Sequence, residues 1–182
     1  MLVKRVLSTT TRVTPAISLA TIPLLAPSIT PRPSIRVASP DDAAAVAHLV
    51  NTALRDANLM QGDRLTTPNV LETITTSDAA AVLVACDGAD IVGSIQVRTP
   101  DYVGALAVRG DWQKRGVGRQ LLAAAAIHCK EVLGMTKLVG VVVTNREDHY
   151  EYYGRRGFVR TGVFMPHPEG RGLLVEVVEK PL

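Results

Sequence analysis

Cysteine and histidine are scarce in this sequence and widely spaced. The two cysteines, Cys86 and Cys129, form no CxxC pair, and each lies in an apolar run. Such cysteines are typical of small buried side chains in a reducing compartment. The four histidines, which follow no His-Glu-x-x-His pattern, are His48, His128, His149 and His167. We therefore expect neither a disulfide framework nor a metal site.

Acidic residues are missing from the beginning of the chain, where Asp41 is the first. Residues 1–33 carry basic residues together with many Ser, Thr and Pro: Lys4, Arg5, Arg12 and Arg32. This composition fits an organelle transit peptide and fits equally a disordered extension without a targeting role. The first interpretation predicts a mitochondrial protein and the second a cytoplasmic one. Pro23 and Pro27 interrupt the apolar stretch 16–29, so no membrane span is expected there.

The remaining chain, residues 34–182, has the length of one domain. The formal net charge is only +3. Much of the excess lies near the N-terminus and at residues 114–119, which does not resemble a broad nucleic-acid-binding face. We therefore expect no nucleic-acid partner.

Hydrophobic periodicity predicts alternating strands and helices along this domain. Runs of β-branched residues indicate the strands, and capping residues mark several helix ends. The predicted strands are 34–38, 81–86, 91–98, 102–108, 137–143, 158–162 and 173–179, and the predicted helices are 40–56, 69–76, 117–133 and 147–156. The nearly apolar strand 137–143 is expected to be covered on both faces. The resulting order is β-α-α-β-β-β-α-β-α-β-β.

The junction between strand 102–108 and helix 117–133 has the character of an anion-binding loop. It reads Gln113, Lys114, Arg115, Gly116, Val117, Gly118 and Arg119. The first N–H groups of a helix lack carbonyl partners, and glycines permit the close approach of a phosphate. An ordinary helix start with a basic first turn explains this segment equally well. The loop lacks the Gly-Lys-Ser/Thr of a Walker motif and the third glycine of a dinucleotide fingerprint.

The run Leu106-Ala107-Val108 followed by this loop resembles the acetyl-coenzyme A signature of the GNAT superfamily of N-acetyltransferases. Farther along, residues 152–158 (Tyr-Tyr-Gly-Arg-Arg-Gly-Phe) resemble the aromatic-Tyr-x-x-x-Gly-Phe segment of the same family. The resemblance covers roughly residue 34 to the C-terminus. It implies an α/β (α+β) GNAT fold in which helices flank a mixed, mostly antiparallel sheet.

The resemblance also implies roles for individual residues. Leu106, Ala107 and Val108 would offer backbone groups to acetyl-CoA, with the Val108 amide donating to the thioester carbonyl. Loop residues 113–119 would hold the pyrophosphate, and Asn145 would contact coenzyme A unless it is a plain helix cap. Tyr153 would be the acid that protonates the departing thiolate, because a phenol with a pKa near 10 suits that transfer.

No general base can be assigned from the sequence. Some relatives carry a glutamate where this chain has Tyr102. Asp101, Glu147, Glu176 or a chain of water molecules could remove the proton, and an amine of low pKa needs no base.

We therefore expect direct acetyl transfer from acetyl-CoA, a co-substrate, to an amine, with a small amine preferred over a protein. The loop 61–68 and residues 165–169 are expected to shape the acceptor site. The alternatives are a non-catalytic acyl-CoA sensor and an enzyme that uses another acyl donor. A homodimer is left open.

Overall fold

The computed structural model describes residues 32–76, 78–167 and 172–182, which belong to one compact unit. Residues 1–31, and with them nearly all of the expected N-terminal extension, lie outside the described residues.

Seven strands of the described chain form one sheet in the order β1-β2-β3-β4-β5-β7-β6. Their bounds are Ser34–Val37 (β1), Ala80–Asp87 (β2), Asp90–Arg98 (β3), Tyr102–Val108 (β4), Lys137–Val143 (β5), Val159–Pro166 (β6) and Leu174–Pro181 (β7). Neighbouring strands are antiparallel except β4 and β5, which run parallel. This mixed, mostly antiparallel sheet confirms the predicted fold class.

Four α-helices flank the sheet: Ala43–Asp56 (α1), Thr67–Thr75 (α2), Val117–Glu131 (α3) and Glu147–Gly154 (α4). A short 3-10 turn, Pro40–Asp42, leads into α1, and another, Gly110–Trp112, precedes the loop before α3. The predicted order of elements is confirmed.

Side chains alternate between the two faces of β2, as the period of a strand requires. Ala81, Leu83 and Ala85 pack with α3 in one core, whereas Val82, Val84 and Cys86 pack with α1 and α2 in the other. Both cysteines are free and buried. The sheet thus separates two hydrophobic layers, and any opening through it connects them.

Two predictions about strands need correction. The strand predicted at 158–162 runs instead from Val159 to Pro166, because pairing with β7 carries it past Gly162. Strand β5 was expected to be covered on both faces, yet Val141 is 42% exposed. The apolar sequence of β5 therefore does not reflect full burial, since one of its faces lines an opening described below.

None of the described helices combines the length and the apolar character that crossing a bilayer requires.

Candidate active site

The site begins where β4 and β5 separate. These two strands pair at a single position, Tyr102 with Val139, and the Val139 N–H donates to the Asp101 carbonyl at 2.7 Å. Beyond that position the strands diverge, so the described backbone of residues 104–108 has no strand partner on the β5 side. Buried backbone groups normally find partners. This row of N–H and C=O groups is therefore available to an extended ligand.

Val108 points its backbone into this gap. The Arg109 N–H donates to the Val92 carbonyl of β3 at 2.9 Å. Because successive residues of a strand point their backbone groups in opposite directions, the Val108 groups face away from β3. The Val108 carbonyl accepts a hydrogen bond from Gln113 Nε2 at 3.2 Å. Gln113 thus ties the loop before α3 to the end of β4.

A bulge in β4 sets the direction of the residues that follow. Ala105 has a φ of 48°, and the β3–β4 register shifts between Ser94 and Gln96. A bulge adds one residue to a strand and re-aims its neighbours. Leu106 comes directly after this bulge and lines the opening.

A cleft of about 280 Å³ fills the separation between β4 and β5. It is lined by Val50 and Leu54 of α1 on one side of the sheet and by Leu122 of α3 and Tyr153 of α4 on the other. The cleft therefore passes through the sheet. It is a place where two ligands could meet from opposite faces.

Tyr153 is the aromatic residue of α4 that reaches the cleft. Its ring makes edge contacts with Tyr152 and Phe158, at centroid distances of 5.3 and 5.4 Å. Burial raises the pKa of Tyr153 to about 12, and Tyr152 adds to that rise. The phenol is therefore protonated at neutral pH and remains available as a proton donor.

The loop before α3 presents a row of free backbone donors. Within the described chain, the N–H groups of residues 114–119 have no hydrogen-bond partner, and the first one bonded again is Gln120, which donates to the Gly116 carbonyl at 3.1 Å. Lys114 and Gly116 both have positive φ, 60° and 84°. Positive φ at residues 114 and 116, but not at the residue between them, turns successive N–H groups toward one side and forms a cradle for an anion. Helix α3, with fifteen residues, adds its dipole.

The two glycines of this loop serve different ends. At Gly116 the constraint is the positive φ and not the space, since a Cβ there would lie no closer than 4.0 Å to any neighbour. Gly118 needs the space, because a Cβ there would lie 2.6 Å from the Tyr152 hydroxyl and 3.7 Å from Val108. Tyr152 and Val108 both lie against Gly118, so the loop, α4 and the end of β4 meet at one point.

Three basic side chains give the surface of the loop a positive charge. Lys114, Arg115 and Arg119 are exposed. Arg115 lies over the Trp112 ring at 5.2 Å, which orients one cation beside the loop. Asn145 is exposed at the turn between β5 and α4, and its side chain makes no hydrogen bond within the described chain. The predicted loop residues thus lie together, and Asn145 makes no cap.

His149, to which the sequence analysis gave no role, also lines the cleft. Arg146 Nη2 lies 2.9 Å from His149 Nε2. Because arginine can only donate, this contact is a hydrogen bond when the ring is neutral, with Nε2 as the acceptor and the proton on Nδ1; Asp148 Oδ2 lies 3.8 Å from the same nitrogen. Burial, followed by the charge of Arg146, lowers the pKa of His149. Engaged in this way, Nε2 is not free to take a proton from an acceptor.

Carboxylates do not reach the cleft: no Asp or Glu is among the described residues that line it. Glu176 is buried, but it bonds Arg160 at 2.7 Å and the Gly162 N–H at 3.1 Å. The hydrogen bond from Arg160 lowers the pKa of Glu176. Glu147 is exposed beside Arg160 at 3.8 Å. Of the carboxylates considered from the sequence, Glu176 is occupied structurally, and neither Glu147 nor Asp101 lines the cleft.

The described residues contain no group of three or more His, Cys, Asp or Glu side chains placed to hold a metal ion.

A family model described as an acetyltransferase (GNAT) domain matches residues 61–167. That span includes the loop before α3, the cleft strands β4 and β5, and Tyr153. A comparison with curated proteins returned no match.

Solved structures agree with the fold. The PaiA N-acetyltransferase of Thermoplasma acidophilum, in complex with coenzyme A, is 15% identical with a TM-score of 0.70, covering 82% of this chain and 98% of its own. YncA of Salmonella typhimurium, with its cofactor acetyl-CoA, is 22% identical with a TM-score of 0.68, covering 84% and 95%. Ard1 of Thermoplasma volcanium is 20% identical with a TM-score of 0.66, covering 82% and 97%. At these identities the similarity establishes the fold.

Proposed function

Because the chain belongs to the GNAT acetyltransferase family, we propose that it transfers the acetyl group of acetyl-CoA directly to the nitrogen of a small amine. The observation that carries this proposal is the gap between β4 and β5. Unpaired backbone of β4 and the Tyr153 phenol line one cleft, and the loop whose free N–H groups suit an anion follows β4 in the chain.

The residues present fit acetyl-CoA. The free N–H groups of residues 114–119 and the nearby Lys114, Arg115 and Arg119 suit the negative charge of a pyrophosphate. The backbone groups of Leu106 and Val108 that face the gap suit the amide groups of an extended pantetheine arm, whereas Ala107, also expected to contact the cofactor, pairs with Ser94 of β3. Relatives of this fold have been solved with coenzyme A or acetyl-CoA, which supports the same assignment.

The transfer forms a carbon–nitrogen bond and breaks the carbon–sulfur bond of the thioester. In this proposal the Val108 N–H, which points into the gap, stabilises the negative charge that develops on the carbonyl oxygen. Tyr153 gives its proton to the departing thiolate and recovers one from solvent. The burial that raises the pKa of Tyr153 also raises the pKa of the thiol that the departing thiolate forms, so the two pKa values rise together.

The amine must be neutral to attack. The cleft lining is largely apolar and, among the described residues, has no carboxylate. Both features destabilise an ammonium ion and lower the pKa of a bound amine. A strong general base is therefore unnecessary, and the proton of the nitrogen can leave to solvent.

A small acceptor is favoured by the volume of the cleft. About 280 Å³ lies at or below the range that accommodates a drug-sized ligand, and the acetyl group shares this space.

Two measurements test the proposal. The melting temperature is recorded with acetyl-CoA, coenzyme A, ATP and NAD in turn, since a ligand at a hundred times its Kd stabilises by about 2.7 kcal/mol. Release of free thiol from acetyl-CoA is then followed with a panel of amines. Stabilisation by only the coenzyme A forms, with amine-dependent thiol release, supports the proposal. Stabilisation without release for any amine indicates a sensor, and no stabilisation contradicts the cofactor assignment.

A further inference from the structure

Arg64 is a cation of the cleft that has no carboxylate partner among the described residues. It lines both the cleft and a neighbouring open groove that α2 shares with β2 and β3. Its Nη2 donates to the Tyr102 hydroxyl at 3.3 Å, and no carboxylate of the described chain lies within 4.0 Å of its guanidinium. By contrast, several other arginines form ion pairs: Arg36, Arg55, Arg109, Arg146, Arg155 and Arg160.

The backbone that carries Arg64 is held by a buried side chain. Asn51 of α1 is 5% exposed. Its Oδ1 accepts from the N–H groups of Arg64 and Leu65 at 2.9 and 3.0 Å, and its Nδ2 donates to the Leu65 carbonyl at 2.7 Å. Three hydrogen bonds from one buried amide fix the loop against α1. Arg64 is thus presented to the cleft from a fixed position.

The neighbouring acids are directed elsewhere. Asp63 pairs with Arg55, and Glu72 is exposed on α2, where it lines the groove and not the cleft. The hydrogen bond to the Tyr102 hydroxyl does not balance the charge of Arg64, and no carboxylate among the described residues does so. A half-buried guanidinium in an apolar cleft is strongly favourable to an anion, because its planar set of donors matches carboxylate and phosphate oxygens.

We propose that Arg64 binds an anionic group of the acceptor, so that the preferred acceptors are small amines bearing a carboxylate or a phosphate away from the reacting nitrogen. This inference rests on the proposed acetyl transfer and specifies its substrate class. The apolar lining between Arg64 and Tyr153 accommodates the aliphatic segment of such a molecule. Asn51 is a positioning residue, since it acts through the loop that carries Arg64.

Matched acceptors test the anionic group. Thiol release is measured with 4-aminobutyrate, its methyl ester and n-butylamine, and separately with O-phosphoethanolamine and ethanolamine. We expect kcat/KM for at least one anionic amine to exceed that of its neutral counterparts by about 10- to 100-fold. The carboxylate and phosphate arms distinguish which anion is preferred.

Arg64→Gln retains a side chain that can donate to Tyr102 but removes the charge, and we expect it to abolish this preference while turnover of n-butylamine remains. Arg98→Gln is the matched control, because Arg98 also contacts Tyr102, 5.3 Å from its ring centre, but lines the groove and not the cleft. It should leave the preference unchanged.

The failure of this inference is distinct from failure of the acetyl transfer. Equal kcat/KM for charged and neutral amines, or an unchanged preference in Arg64→Gln, overturns the role of Arg64 while transfer itself stands. If no amine is acetylated, the melting temperature of the coenzyme A complex is compared with 4-aminobutyrate and with its methyl ester. A rise confined to the acid and lost in Arg64→Gln supports the anion site, and equal shifts overturn it.

Discussion

The hydroxyl of Tyr152 lies against the backbone of Gly118, at the point where α4 meets the first turn of α3. A Cβ added at residue 118 would approach that oxygen to 2.6 Å. The same hydroxyl is buried and has no hydrogen-bond partner in the described chain. Arg156 stacks on the Tyr152 ring at 3.5 Å and restricts its movement. The absence of a side chain at Gly118 therefore results from packing as well as from the needs of a ligand.

Replacement of Gly118 by alanine should lower the free energy of unfolding by about 1 kcal/mol, because overpacking exceeds the gain in helix propensity. Tyr152→Phe alone should change stability little, since the lost hydroxyl has no partner. In the double variant the nearest ring atom would lie 3.6 Å from the new methyl group, so the alanine should no longer destabilise. Urea unfolding of all four proteins measures this coupling, and additive effects would contradict the contact.

Tyr153→Phe should reduce kcat for acetyl transfer by about 10²- to 10³-fold, since a positioned general acid contributes that much. Coenzyme A binding, followed by thermal shift, should be nearly unchanged because the ring remains. Tyr150→Phe is the control. Tyr150 is buried, with the Arg160 guanidinium 3.9 Å from its ring centre, and it does not line the cleft. Unchanged turnover in Tyr153→Phe would exclude the phenol as the acid.

The rate of acetyl transfer should rise with pH and should not fall again at basic pH. Burial raises the pKa of Tyr153 to about 12, so this acid stays protonated below that pH and is lost only as pH rises through it. The lowered pKa of His149 keeps its ring neutral at and above pH 7. We expect kcat/KM for the amine, at saturating acetyl-CoA, to increase from pH 6 toward the pKa of the free acceptor and to show no decline up to pH 10. A decline within this range would indicate an acid with a lower pKa.

Asp42→Asn should destabilise the domain by about 1 kcal/mol at pH 7. Asp42 accepts two hydrogen bonds from Arg36, at 2.6 and 3.0 Å, and one from the Ser39 N–H at 2.7 Å, which joins β1 to the start of α1. The bond from Arg36 holds the pKa of Asp42 well below its usual value. Its contribution is therefore complete above about pH 4 and is lost as pH falls through the lowered pKa.

The free energies of unfolding of wild type and Asp42→Asn should thus approach each other as pH falls below about 4. Asp41→Asn is the neighbouring control, because the Asp41 carboxylate forms no ion pair or hydrogen bond within the described chain, and we expect a change of no more than about 0.5 kcal/mol. A constant difference between the two Asp42 proteins at all pH values would contradict the ionic contribution.

Local sequence predicted the strands of the site closely. The runs 102–108 and 137–143 match β4 and β5 in full, because β-branched and apolar residues bounded by turns specify an extended chain without distant help. The predicted strands 81–86 and 91–98 are present as β2 and β3, joined by a tight turn in which Asp87 pairs with Asp90 and Gly88 has a φ of 59°. Helix α3 begins at Val117, as predicted, directly after the left-handed Gly116.

Residues of the cleft that come from distant parts of the chain were harder to predict. Arg64 and His149 carry no local signal, since a single arginine in a loop and a single histidine in a helix have many roles. Arg64 reaches the cleft because Asn51, thirteen residues earlier, holds its backbone. The exposed Val141 was missed because an apolar strand has the same sequence whether it faces a core or an opening.

Neighbouring residues and short motifs were enough to predict the order of the elements, a glycine-containing basic loop before α3 and the resemblance that pointed to Tyr153. The tertiary structure decided that β4 and β5 pair at a single position and then separate. Strand pairing depends on the packing of whole layers, which no segment of the chain encodes alone. The cleft follows from that separation, and so does its lining, which contains no carboxylate among the described residues.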